Sequence, residues 1–64
     1  MKLKDWLHKN GVAQAALAAH IGVTQAAVSM WVNGVMVPEP ATMRKIHRVT
    51  GGKVTPNDFV LGKV

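Results

Sequence analysis

Apolar residues near the start of the chain fall at Leu3, Trp6 and Leu7, three and four positions apart, the spacing of one buried helical face. This predicts a first helix over Lys2–Lys9, ended by Asn10-Gly11. A second helix is predicted over Ala13–His20, rich in alanine and carrying Leu17 and Ile21 at helical spacing until Gly22 breaks it. Thr24 can cap a third, from Gln25 to about Asn33, whose Ala27, Val28 and Trp31 share one side. Gln25, Ser29 and Asn33 form a polar stripe on the other side, and Asn33-Gly34 ends the helix.

Val35-Met36-Val37-Pro38-Glu39-Pro40 reads as a connection, since two prolines so close can sit only before a helix or in its first turn. A fourth helix follows, with Met43, Ile46 and Val49 inside, Arg44, Lys45, His47 and Arg48 outside, and Gly51-Gly52 at its end. Lys45 and Arg48 suit the negative end of that helix. The stretch Lys53–Val64 admits two readings. Its valines suit a hairpin, whereas Thr55-Pro56-Asn57-Asp58 has a cap, a first-turn proline and an acidic third position. A short terminal helix carrying Phe59 into the core is the preferred reading, because a turn at Pro56-Asn57-Asp58 leaves little room for a first strand. The expected fold class is all-α, with about five short helices.

With 64 residues and no internal repeat, residues 1–64 are expected to form a single domain around one core. The absence of cysteine excludes disulfides and cysteine-bearing zinc sites and fits a reducing compartment. No apolar run approaches the roughly 20 residues that cross a bilayer, and Met1-Lys2-Leu3-Lys4-Asp5 leads into no signal-peptide core. A soluble cytoplasmic protein is expected, without a membrane partner. Eight basic residues against three acidic ones, a formal charge of +5, favour a polyanionic partner. Charge alone leaves DNA, RNA and acidic membranes open.

The segment from Gln14 to Gly34 narrows that choice. Two short helices joined by a tight turn approach closely where they cross, which asks for a small residue, met at Ala18. The turn asks for a residue free to take a left-handed conformation, met at Gly22. Leu17, Ile21, Val23, Val28 and Trp31 supply the apolar side of both helices. This segment resembles the helix-turn-helix of the lambdoid phage repressors and Cro proteins, and the whole chain resembles the small Cro-like and YdaS-like regulators. Gln14, Leu17, Ala18, Ile21, Gly22, Val23, Thr24, Gln25, Val28 and Trp31 carry the resemblance, with weaker support from Val37-Pro38 and from Val49 to Val54.

The resemblance implies a lambda-repressor-like fold and a sequence-specific transcriptional regulator that occupies an operator with its third helix in the major groove. It would place Gln25, Ala26, Ser29 and Met30 against base edges, where Gln25 could pair with adenine and Ala26 could touch a thymine methyl. Gln14, Thr24 and Asn33 would meet phosphates, with Arg44 and Lys45 as basic phosphate contacts. Lys2, Lys4, Lys9 and Arg48 complete the electrostatic supply. So small a reader would need two copies on a pseudo-palindromic operator, hence a weak homodimer, with Val35–Val37 and parts of the fourth helix or the tail as its contact surface.

Other residues have plainer readings. Trp31, opposite the polar stripe, is expected in the core, Trp6 as a lid on the core or at a partner surface, and Phe59 in the core or a dimer contact. His8, His20 and His47 lie on three different predicted helices, so no metal site is expected. Met36 suits a core edge or a partner surface, and the basic cluster of the fourth helix suits a solvated face as well as phosphate. Asp5, Glu39 and Asp58 form no recognisable arrangement with a histidine, and no glycine-rich phosphate loop is present, so neither catalysis nor a cofactor or small-molecule ligand is expected. Two alternatives stay open: a toxin-antitoxin or phage-defence component that chiefly binds a protein partner and regulates its own gene, and a general RNA or nucleic-acid binder.

Overall fold

The computed structural model describes Met1–Phe59, and Val60–Val64, the end of the proposed terminal helix or hairpin, lie outside the described residues. Four α-helices follow in order: α1 (Leu3–Asn10), α2 (Gln14–Ile21), α3 (Gln25–Val32) and α4 (Pro40–Val49), with a single 3-10 turn at Pro56–Phe59. The fold is all-α, and its fifth element is this turn in place of an α-helix. Five boundaries differ from the sequence expectation by one residue. Lys2 and Ala13 have extended backbone, so α1 and α2 each start and end one position later, and Asn33 is the residue that closes α3.

Core positions repeat with helical spacing. Leu3 and Leu7 come from α1, Leu17, Ala18 and Ile21 from α2, Val28 and Trp31 from α3, and Ile46 from α4. Val54 and Phe59 close the cluster from the C-terminal side, and Trp6, Val23, Ala27, Met43 and Val49 pack around its margin. Val28 and Ile46 are fully enclosed, and burial of each such side chain is worth about 1.5–3 kcal/mol. The expectations for Trp31 and Phe59 as core residues, and for Trp6 as a lid, hold.

α2 and α3 are the most closely packed pair, related by a bend of 118° across the Gly22-Val23-Thr24 turn. Gly22 has φ +80°, and its N–H and that of Val23 both donate to the Ala18 carbonyl at 2.9 Å. Buried Ala18 therefore has two tasks, since its small side chain admits the crossing helix and its carbonyl anchors the reversal. Thr24 then starts α3, its Oγ1 accepting the Ala27 N–H at 3.1 Å.

On the far side, Thr50 is the buried polar residue that closes α4. Its hydroxyl donates to the Ile46 carbonyl at 2.8 Å and accepts the Val54 N–H at 3.1 Å, which draws the Gly51–Val54 loop back over the core. The 3-10 turn is held by Asp58, whose carboxylate reaches back to Thr55 as in one half of a capping box. The Thr55 N–H donates to Asp58 Oδ2 at 2.8 Å, and the Asp58 N–H donates to the Thr55 carbonyl at 2.9 Å. The Met1 ammonium also reaches this turn, donating to the Lys53 carbonyl at 2.8 Å and to Asp58 Oδ2 at 3.1 Å. It forms the one ion pair among the described residues.

Two outcomes follow from these contacts. A Cβ built on Gly22 meets no atom within 4 Å, so a substitution there costs backbone strain alone. Gly22→Ala should lower stability by about 1–2 kcal/mol and Gly22→Val by more, whereas Gly22→Asn, which tolerates the left-handed region, should cost less. Urea denaturation of the three variants checks the order.

Partial desolvation pushes the Asp58 carboxyl up, but the Thr55 N–H, the Met1 ammonium and the Thr55 hydroxyl outweigh it and leave the group below its ordinary value. A depressed carboxylate stabilises the fold above its unfolded pKa of about 3.9 and loses that contribution as pH falls through the folded value. The melting temperature should drop on acidification below about pH 4, and Asp58→Asn should flatten that part of the curve. An identical acid limb in the variant would refute the role of Asp58.

Candidate nucleic-acid interface

α3 presents one side to the core and the other to solvent. Val28 and Trp31 point inward with half-buried Ala27, while Gln25, Ala26 and Asn33 are exposed and Ser29 and Met30 are half-buried. Positions 25, 29 and 33 are four apart, so Gln25, Ser29 and Asn33 stand in one row along the open face. The row carries no charge, and its first residue lies one position after the cap that fixes where α3 begins.

The row is also internally ordered. Asn33 Nδ2 donates to Ser29 Oγ at 3.3 Å. With its oxygen accepting from Asn33, the Ser29 hydroxyl has its own proton free to donate outward, which suits an acceptor on a base edge. Asn33, expected from the resemblance to meet a phosphate, is thus turned back along α3, with its carbonyl oxygen and second N–H still available. Thr24 is similarly engaged, since its oxygen caps α3 and its hydroxyl proton remains free. Met30 takes part through its backbone, where its carbonyl accepts the Val35 N–H at 2.9 Å and holds the start of the following loop.

The start of α2 differs. Its N-cap position is Ala13, which makes no side-chain hydrogen bond, so the first N–H groups of the helix have no side-chain cap. Half-buried Gln14 stands at this end with exposed Ala13, Ala15 and Ala16 around it, small residues that leave the N–H groups open to an approaching anion.

The basic residues are spread over separate surfaces. Lys2 and Lys4 line a cleft with Trp31, Val32 and Met36 at the C-terminal end of α3. Lys45 lies at the other end of α2 from Gln14, separated by about 10 Å of helix, with its Nζ 3.5 Å from the Ile21 carbonyl. It serves the C-terminus of α2 and not that of its own helix, whose last turn carries His47 and Arg48. Arg44 lines a different groove, with Arg48, between α4 and the 3-10 turn. The structure therefore brings Gln25, Ala26, Ser29 and Asn33 onto one face and keeps Arg44 and Lys45 on two sides of α4.

Periodicity had no means of finding the Asn33–Ser29 bond, or the use of Lys45 across to α2, since both depend on where side chains and neighbouring helices come to rest. The four-residue spacing of Ser29 and Asn33 was the one signal of the first.

No single helix among the described residues is long and apolar enough to cross a membrane. The alanine-rich pair α2 and α3 has the composition for it, but is the bent pair already described. No curated protein and no solved structure matches the chain. The family model described as Helix-turn-helix matches residues 3–57, from the first residue of α1 into the 3-10 turn. Helix-turn-helix domains of this family bind DNA, and α2 and α3, joined by the Gly22-Val23-Thr24 turn, have the form of that motif. The chain belongs to the lambda repressor-like helix-turn-helix family.

Proposed function

We propose that this chain is a single-domain, Cro-like transcriptional repressor that reads a specific double-stranded DNA operator with α3 in the major groove. The observation that carries this reading is the uncharged, solvent-facing row of Gln25, Ser29 and Asn33, with Ala26 beside it, on the second helix of the motif. A face built for non-specific attraction to phosphate would carry lysine and arginine, whereas amide and hydroxyl groups discriminate among base edges. Gln25 reads adenine, Ser29 donates to a base acceptor, Ala26 contacts a thymine methyl and half-buried Met30 edges the same surface. Gln14 and the uncapped start of α2 hold one phosphate, and Thr24 and Asn33 hold others through their remaining donors. Arg44 and Lys45, with Lys2, Lys4, Lys9 and Arg48, supply the longer-range attraction that a formal charge of +5 provides.

The regulator acts in the cytoplasm as a weak homodimer on a pseudo-palindromic site, with no catalytic role and no cofactor. Exposure of Val35, Met36 and Val37, at 67%, 49% and 41%, supports the loop before α4 as the contact between copies. Occupancy of such an operator would exclude polymerase.

Selection of sites from a random duplex pool, followed by anisotropy titration against a scrambled control at about 50 and 200 mM salt, tests the reading. An enriched two-fold-symmetric site that keeps its advantage at the higher salt is the expected result. Binding to both duplexes that salt removes equally would overturn it. At the selected site Gln25→Ala should cost about 1–3 kcal/mol and relax preference at one base pair, while Arg44→Ala should weaken all sequences alike. For the dimer, Val35→Ser with Met36→Ser should abolish cooperative filling of two half-sites and leave affinity for an isolated half-site unchanged. Cooperative filling by that double variant would move the contact elsewhere.

A further inference from the structure

The groove between α4 and the 3-10 turn has apolar walls, and a histidine at its edge, that the DNA-reading proposal leaves unused. It is about 740 Å³, walled by Pro40, Met43 and Pro56 and edged by Arg44, His47 and Arg48. Two of its walls are preset. Pro40 opens α4 and Pro56 opens the 3-10 turn, each with its ring-fixed φ, so the groove exists before anything enters it. Half-buried Met43 provides an adaptable apolar surface between them. The His47 ring lies over Gly52, where a Cβ would come within 3.5 Å of Nε2, and the His47 carbonyl accepts the Gly52 N–H at 2.8 Å.

The charged edge lacks an internal partner among the described residues. Asp58 is bound to the Met1 ammonium in the one ion pair there, and neither Asp5 nor Glu39 pairs with Arg44 or Arg48. From this charge complementarity we infer that the groove docks an acidic amphipathic helical segment of a protein partner. Its apolar side chains fill the space over Met43 and the two prolines, and its carboxylates pair with Arg44, His47 and Arg48. The groove runs along α4 from residue 40 to residue 48, about 12 Å, enough for two turns of such a segment.

Two other occupants fit less well. A phosphodiester backbone would satisfy the arginines but offers no apolar side chain for the walls. A second copy of this chain carries the same +5 charge, and its three acids are scattered at positions 5, 39 and 58, with no cluster to present. The inference uses no residue of α2 or α3, and it shares Arg44 and Arg48 with the operator reading, which asks of them only long-range attraction.

The test uses the full chain, labelled with ¹⁵N, and a synthetic peptide of about 12 residues with leucines at helical spacing and glutamates elsewhere. Controls are a lysine-for-glutamate peptide and a composition-matched acidic peptide whose leucines are scattered. The expected result is amide shift changes confined to Ala41–Arg48 and Asn57–Asp58, with a Kd of about 10–100 µM for the amphipathic acidic peptide alone. His47→Glu with Arg48→Glu, both at exposed positions, should weaken binding about tenfold or more with the melting curve retained.

The wild-type shift map decides the matter even if that double variant does not fold. Absence of saturable binding, shifts centred on Gln25–Asn33 or on Val35–Val37, or equal binding of the scattered acidic peptide would each overturn the inference. Preferential binding to phosphatidylserine vesicles through the same residues, with none to the peptide, would replace the protein partner by a membrane surface.

Discussion

Everything that makes this chain a helix-turn-helix depends on the reversal between α2 and α3. The Ala18 carbonyl accepts two N–H groups, from Gly22 and Val23, and can do so only because residue 22 takes the left-handed conformation open to glycine. Those two bonds end α2 at Ile21 and turn the chain through 118°. Thr24 then starts α3 at a defined residue. Since the phase of a helix is set by where it begins, the turn also decides which side chains of α3 face inward. Val28 and Trp31 go to the core, and Gln25 and Ser29 are left to the outside.

Around this pair the remaining elements act as supports. α1 packs against α3 and α4 against α2, so the motif is braced on both sides. The closure at the C-terminal side is more polar. Thr50 spans from the Ile46 carbonyl to the Val54 N–H, and Asp58 ties the Met1 ammonium to the Thr55 cap. A chain of this size buries a small core, and such side-chain bonds hold the loops that cover it where apolar contact is thin. The same construction leaves the outer side of α4 uncovered, with Pro40, half-buried Met43 and the basic edge open to other molecules beside Pro56.

In the proposed function, affinity and selectivity fall to different parts of the surface. The row on α3 has no charge, while the lysines and arginines among the described residues stand on α1, α4 and the loops. On that proposal, the separation would let non-specific attraction bring a duplex close without competing with base recognition. The groove that Arg44 and Arg48 edge beside Pro56 contains no residue of α2 or α3, while Arg48 also borders His20 and Ile21 of α2.

The order of the helices and the inner face of each were legible in the sequence. Apolar spacing at Leu3 and Leu7, Leu17 and Ile21, Val28 and Trp31, and Met43 and Ile46 reports directly on burial, and Gly22 and Thr24 report on the turn and cap through local backbone chemistry. The candidate reading row was legible for the same reason, as the polar complement of a buried face. The terminal element was legible as a capped turn, but its 3-10 geometry was not, because so short a segment takes its form from what it packs against. The tertiary structure alone decided which donors were already engaged: Asn33 on Ser29, Lys45 at the end of α2, and the Thr50 hydroxyl between Ile46 and Val54. It also brought Pro56 beside α4 to complete a groove. Periodicity describes one element at a time, whereas a groove, a cross-helix bond or a closed loop exists only once separate elements are held together.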